Sequence, residues 1–421
     1  GMLMQNKAVR LHGTLDLRLD TFSIPEIKPD ELLLHIVCDS LCMSSYKATA
    51  LGSGHKRVPD DIDVHPIIVG HEFCGKIAAV GENCRDRYSV GQRISLQTTL
   101  SDTYAAPGYS YEFCGGDSQY AIIPAPYTTR DNVISYNCDS FFGGSLAEPY
   151  SCVIGAFHAN YHNTPGAYRH EMGIKQGGNM ALLAATGPMG TAAIDYILHC
   201  DRRPAVLVVT GRTQSVLDRC AALFPPEKAA ENGVTLHYLN TRDRENVAEE
   251  LLALSAGQGY DDVFVYAPDE ALLKTADEIL GFDGCLNFFA GPADKSLSAP
   301  INFYNVHYNL HHFCGTSGGN TDDMREAIQM MEAGRLTPAA LVTHIGGLDA
   351  AAEATLHLPD LKGGKKLIYT GISLPLTAIA DFQKLGETQA LFRGLAEICS
   401  RSNNLWSAEA EAYLLQHGSK L

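Results

Sequence analysis

The chain has no apolar run near the roughly 20 residues that a membrane span needs. Its start, GMLMQNKAVRLHG, has no signal-peptide core, so neither a membrane partner nor export is indicated. Gly1 ahead of Met2 reads as the remnant of a cleaved tag. Positive charge is scarce: 32 Lys and Arg stand against 48 Asp and Glu, a net charge of −16. Nucleic acid and anionic membrane surfaces are therefore poor partners, and an anionic ligand needs a local basic pocket. No CxxC occurs, and the twelve cysteines are scattered along 421 residues. In a large, unexported chain they read as reduced thiols of a cytoplasmic protein, mostly small core hydrophobes. Charged residues are only 19% and hydrophobic residues 45%, which excludes a disordered chain. The length predicts two or three domains with an ample core. There are no internal repeats and no low-complexity segment.

The first 150 residues carry short β-type runs punctuated by Gly and Pro: residues 32–38, 76–80, 93–96 and 120–124. Near 145 the texture changes. A helical pattern is expected over 146–161, starting at Pro149, followed by a polar, Gly-containing insertion at 163–179. From Met180 apolar strands (MALLAAT, AVLVVTG, LHYLN, DDVFVYAP, CLNFFAG) alternate with helical stretches at 188–200, 214–224, 245–255 and 270–279. Such interleaving means a parallel sheet covered by helices on both faces, an α/β fold. A helix at 322–333, a strand near 367–370 and a helical tail at 388–416 follow.

Between the first of these strands and its helix lies Ala185-Thr186-Gly187-Pro188-Met189-Gly190. A dinucleotide pyrophosphate approaches the backbone at such a turn and rests on the helix N-terminus, which favours glycine. Ala185 stands where the GxGxxG pattern has its first glycine; the strand–turn–helix context carries the reading, with Gly187, Pro188, Met189 and Gly190 as cofactor-binding positions. About 20 residues on, where an acidic residue meets the ribose 2′-hydroxyl of NAD, the chain has Thr210-Gly211-Arg212-Thr213. A carboxylate repels a 2′-phosphate and a guanidinium binds one, so Gly211, Arg212 and Thr213 predict NADP(H) over NAD(H). The alternative is a solvated Arg212 stacking on adenine.

A second constellation comes earlier: Ser40-Leu41-Cys42-Met43-Ser44-Ser45, then Gly70-His71-Glu72-Phe73-Cys74-Gly75, then Glu148-Pro149. Cysteine, histidine and carboxylate are the side chains that hold a catalytic Zn²⁺ with one position left for substrate. The pair His311-His312 falls in an apolar, strand-like run, NVHYNLHHFCG, where neighbours point to opposite faces and do not chelate together; both read as structural.

On these residues the chain resembles the zinc-dependent medium-chain dehydrogenases and reductases of the sorbitol dehydrogenase kind, from about residue 7 to 370. The cysteine turn matches at Cys42, GHExxG at 70–75, the G-x-x-V-G-D-R-V stretch approximately at Val90-Gly91-Gln92-Arg93-Ile94, and the Glu-Pro pair at Glu148-Pro149. HPIIVGHEFCG, EPYSCVIGAFHANYH, GCLNFFAGP and GTSGGNTDDMREA are similar to the L-sorbose-1-phosphate reductase branch. The resemblance implies a GroES-like catalytic domain at 1–160, a Rossmann dinucleotide-binding domain at 161–317, and a return to the first domain with a helical tail at 318–421, with the substrate in the cleft. The tail beyond 372 exceeds the usual family end.

The resemblance also implies the chemistry: hydride transfer between the nicotinamide and a secondary alcohol or ketone. Zinc serves as Lewis acid or lowers the alcohol's pKa. Cys42 and His71 are implied metal ligands. Glu72 and Glu148 compete for the third position, the other holding a zinc-bound water. Ser44 matches the hydroxyl that exchanges the reacting proton. Lys47 stands where a proton-passing histidine is often found, and relays a proton, binds phosphate or is a solvated surface lysine. Ser45 and Tyr46 replace a usual acid-containing turn beside the metal. The region 97–119 holds only Cys114, so a structural zinc is not expected. His55, Lys56 and Arg57, in the loop after the metal turn, are the cations for a substrate phosphate, against the plainer reading of a solvated charge run. The expected substrate is a polyol or ketose phosphate, with reduction of L-sorbose 1-phosphate to glucitol 6-phosphate. An unphosphorylated polyol substrate is the near alternative, and a non-catalytic nucleotide-binding protein the distant one. A homodimer or homotetramer is implied by the edge strand around His311-His312.

Overall fold

The computed structural model describes residues 3–421; the tag remnant read at Gly1 lies outside them. The chain forms two compact units. One takes the residues through Glu148 together with Met324–Glu332 and Pro338–Leu421; the other takes Pro149–Asp323 and Ala333–Thr337.

The first unit is built on strand Leu32–Ser40, whose residues Leu32, Leu34 and Ile36 are fully buried. It pairs antiparallel with Phe73–Val80, Tyr120–Ile123 and Lys365–Tyr369. The register sets Asp39 against Phe73 and Ser40 against Leu367. Antiparallel pairing therefore brings the end of the central strand beside the beginnings of two others. Cys42, the pair His71-Glu72 and Lys365 all leave the sheet at that end. Ile77, Ile94, Ala121 and Ile123 fill the core beneath. Each of these isoleucines contributes roughly 1.5–3 kcal/mol on burial.

The second unit is a six-stranded parallel sheet. Its spatial order is Thr235–Asn240, Val206–Gly211, Asn179–Leu183, Tyr260–Val265, Leu280–Phe288 and His312–Cys314. In chain order that is 3-2-1-4-5-6, the doubly wound dinucleotide-binding topology. Ala181, Val208, Val263 and Val265 are completely buried, as the continuous apolar runs require.

Three local expectations change. The helix at the Glu-Pro pair runs Phe142–Ala159, with Pro149 inside it rather than at its start. Gly143 and Gly144 in its first turn are packing positions: a Cβ there would lie 2.4 Å from the Tyr136 hydroxyl and the Cys74 thiol respectively. The run NVHYNLHHFCG is not one strand. Helix Phe303–Tyr308 and strand His312–Cys314 are separated by Leu310 at φ 54. The tail holds two main helices, Ala390–Ser400 and Ala408–His417, broken at Asn403 and Asn404, whose φ values are 55 and 60. The polar insertion after 163 contains strand His170–Met172, paired with Tyr161–Asn163. Among the described residues no helix is long and apolar enough to cross a membrane.

Candidate active site

Cys42 is the residue before helix Met43–Leu51, and its side chain caps none of the first-turn N–H groups. The thiol therefore remains available to the site. His71 and Glu72 precede strand Phe73–Val80, after Gly70 at φ +97. A Cβ on Gly70 would lie 2.8 Å from the Asp117 backbone nitrogen, so the turn needs glycine. The ligand atoms of Cys42, His71 and Glu72 lie within 4.8 Å of one another. Nε2 of His71 is 3.7 Å from Oε2 of Glu72 and 3.9 Å from Oε2 of Glu148, and all three residues are buried. The four residues singled out for a metal thus converge. A thiol, an imidazole and carboxylates in a buried cluster fit Zn²⁺.

The charges agree with that fit. Glu72 is held by buried Lys365, whose Nζ donates to its two oxygens at 2.8 and 3.0 Å, and by the Ser40 hydroxyl. Burial alone would lower the Lys365 ammonium pKa; the charges of Glu72 and Cys42 outweigh it and hold the ammonium above its usual range. Burial pushes the Glu148 carboxyl up to about 7; His71 opposes this, and the charges of Glu72 and Cys42 add to it. Burial also raises the Cys42 thiol, against the pull of Lys365. One lysine thus faces a thiol and two carboxylates, a balance that a divalent cation would restore.

Ser44 Oγ lies 3.0 Å from Cys42 Sγ. Lys47 is half-buried and one helical turn from Ser44. Ser45 stands where the resemblance led us to expect an acid, and its Oγ is 3.4 Å from His71 Nδ1. The Tyr109 hydroxyl lies 3.3 Å from the same nitrogen. Two hydroxyls therefore orient the imidazole, a task that falls to a carboxylate or carbonyl at many metal sites. Of the three loop cations, His55 stacks on Tyr109 with centroids 5.5 Å apart, and the Arg57 guanidinium lies 5.9 Å from the same ring. Lys56 is not brought there; its ammonium lies over Tyr104, 5.3 Å away. Lys365 and Tyr109 are the two participants that sequence reasoning missed. The adjacent Lys366 points elsewhere and donates to the carbonyls of Lys362 and Gly364.

In the second unit, the glycine-containing turn joins strand Asn179–Leu183 to helix Pro188–His199. Gly190 is indispensable: its Cβ would fall 2.2–2.4 Å from the Ala185 backbone. A Cβ on Gly187 would meet nothing within 4 Å, and no side chain caps the helix. This is an open helix N-terminus suited to phosphate. The left-handed residue is Ala184, at φ 55. Arg212 and Thr213 are exposed just past strand Val206–Gly211. Exposed Arg242 donates its Nε to the Arg212 carbonyl at 2.6 Å, adding a second guanidinium there.

Residues 28–150 match the family described as "Alcohol dehydrogenase GroES-like domain", and residues 188–333 match "Zinc-binding dehydrogenase". The chain belongs to the zinc-binding alcohol dehydrogenase family. Among its relatives, the L-sorbose 1-phosphate reductase of Klebsiella pneumoniae is 47% identical over 98% of each chain. The mannitol-1-phosphate 5-dehydrogenase of Aliivibrio fischeri is 46% identical over 98% of each. A protein of Escherichia coli K12, YggP, named as uncharacterized, is 50% identical over 98% of this chain and 97% of its own. The fold is shared with 2R,3R-butanediol dehydrogenase of Bacillus subtilis, with a TM-score of 0.69 and 20% identity over 87% of this chain and 99% of that one. This zinc-binding dehydrogenase is therefore an enzyme with a GroES-like unit and a Rossmann unit, and its reaction is an oxidoreduction.

Proposed function

We propose that this dehydrogenase transfers a hydride from NADPH to a ketose phosphate, reducing L-sorbose 1-phosphate to glucitol 6-phosphate. The observation that carries the chemistry is the convergence of Cys42, His71, Glu72 and Glu148 in one buried cluster. Cys42 and His71 hold the zinc, and one of Glu72 and Glu148 completes the set. When bound, zinc polarises the ketone as a Lewis acid. As the hydride reaches the carbonyl carbon, negative charge gathers on its oxygen, and the Ser44 hydroxyl gives that oxygen a proton. Lys47 returns a proton to Ser44 from solvent. Lys365 holds the Glu72 carboxylate in place through both oxygens. Arg57, with the His55 imidazole stacked on the same Tyr109 ring, supplies the positive charge for the substrate phosphate, a charge-assisted hydrogen bond contributing roughly 1.5–3 kcal/mol. Arg212, with Arg242 beside it, favours the 2′-phosphate of NADPH over the bare ribose of NADH.

Support for the substrate is the relative named for that reduction, similar over almost the whole chain. A second reading, oxidation of mannitol 1-phosphate, is favoured by the relative named for it at nearly equal identity. The two place the reacting carbon differently. In sorbose 1-phosphate the ketone adjoins the phosphate-bearing carbon; a 5-dehydrogenase of mannitol 1-phosphate acts four carbons away. The test is a panel on metal-quantified protein: NADPH and NADH against L-sorbose 1-phosphate, D-fructose 6-phosphate, sorbose and fructose. Rapid NADPH loss with L-sorbose 1-phosphate is expected. Preference for D-fructose 6-phosphate would select the second reading, and turnover of free ketoses alone would discard the phosphate site.

A further inference from the structure

The C-terminal extension carries a buried carboxylate whose partners lie far from it in sequence. Glu411, on helix Ala408–His417, accepts hydrogen bonds from the backbone N–H groups of Phe141 at 2.6 Å and Phe142 at 2.9 Å. These belong to the start of helix Phe142–Ala159; the Phe141 carbonyl already accepts from Ser145 N–H. The first N–H groups of a helix have no internal partner, and a carboxylate there is favourable to both hydrogen bonding and the helix dipole. The helix supplies no acid in its own first turn. The same Glu411 accepts from the Tyr369 hydroxyl at 2.7 Å, and Trp406 Nε1, also in the extension, donates to that hydroxyl at 2.9 Å.

The two elements so joined are those that set the site's carboxylates. Glu148 lies seven residues after Phe141, two turns along the same helix face. In the first turn the Ser145 hydroxyl donates to the Glu72 carbonyl at 2.5 Å. Tyr369 ends the strand whose first residue is Lys365, the partner of Glu72. The folds shared with solved dehydrogenases leave part of this chain over: the B. subtilis butanediol enzyme is covered over 99% of its length by 87% of this chain.

We propose that the extension is a positioning element for the metal site, in which Glu411 clamps the helix of Glu148 to the strand of Lys365. This rests on the zinc reading above. Glu411 touches neither substrate nor metal; it acts through the backbone it holds. Moving the helix start would move Glu148 and loosen the Ser145 tie to Glu72 together.

The test uses the full chain loaded with zinc. Glu411→Ala and the milder Glu411→Gln and Trp406→Phe are compared with the parent for zinc release to a chelator, amide hydrogen exchange over 141–148, and KM for NADPH. For Glu411→Ala the expectation is zinc release about tenfold faster or more, protection lost through to Glu148, and an unchanged KM for NADPH. A merely structural role would lower the melting temperature yet leave zinc release within about twofold of the parent, with lost protection confined to 141–142; that result overturns the proposal. Should Glu411→Ala not fold, the two milder variants decide it by the same readouts. A parent that holds no zinc would sink the metal reading instead, and the reach of lost protection would still decide the clamp.

Discussion

Lys365 brings one positive charge to a half-buried thiol and two buried carboxylates, and Glu72 accepts from it through both oxygens. Removing one partner of a buried ion pair leaves the other uncompensated, which costs about 3–5 kcal/mol. Lys365→Met is therefore expected to lose stability of that order in urea unfolding of the metal-free protein. A loss under about 1 kcal/mol would mean that the Lys365–Glu72 pair adds little to the fold. At the other end of the chemistry, Arg212→Ala is expected to raise KM for NADPH about tenfold or more and leave KM for NADH unchanged, the value of a charge-assisted contact. Equal effects on both nucleotides would assign Arg212 to the adenine. That Cys42, His71, Glu72 and Glu148 meet was legible in the sequence because each falls in a short motif of the family the chain resembles. The choice of Lys365 over Lys366 was not. Neighbours on a strand face opposite ways, and only the sheet register decides which one faces Glu72. Tyr109 was hidden for another reason: it sits in a loop region with no periodicity to place it.

Strand and helix positions in the second unit followed closely from apolar runs and turn glycines. Helix Glu270–Ile279, opened by the Asp269 side chain accepting from Leu272 N–H, is one such case. The start of helix Phe142–Ala159 was hidden because it rests on contacts distant in sequence: Glu411 takes its first N–H groups, and two glycines let it pack on Tyr136 and Cys74. His162, on strand Tyr161–Asn163, gives a prediction at this scale. Its Nε2 lies 2.9 Å from Asp262 Oδ1. Burial would lower the imidazole pKa, but the bond to Asp262 and the charges of Asp262 and Asp283 raise it overall. A pKa raised on folding means stability present in full below the unfolded value, near 6.5, and lost as pH rises through the folded value. Urea midpoints for the Rossmann unit should fall between about pH 6 and pH 8.5, and His162→Gln should flatten that slope. An unchanged slope in the variant would remove His162 from the account.

Two exposed features of the Rossmann unit bear on the whole molecule. Strand His312–Cys314 is an edge strand; Phe303, Tyr304 and Tyr308 shortly before it, and Phe282 on the neighbouring strand, are 62–73% exposed. Open edges and clustered exposed aromatics mark association surfaces. We propose a homodimer through this edge; Tyr304→Glu with Phe303→Glu should give monomers by light scattering, and an unaltered mass would move the interface elsewhere. His312, paired with Asp283 at 2.7 Å, serves the edge as a structural residue. The claim on which all else depends is that zinc at Cys42 and His71 drives reduction of a ketose phosphate. The most direct measurement is NADPH consumption with L-sorbose 1-phosphate by the full chain, before zinc removal, after it, and after zinc is restored, with Cys42→Ser alongside. The account predicts one zinc per chain, turnover that vanishes and returns with the metal, and a Cys42→Ser variant that neither retains zinc nor turns over. Turnover that survives complete zinc removal, or a Cys42→Ser variant that keeps both metal and rate, would contradict it.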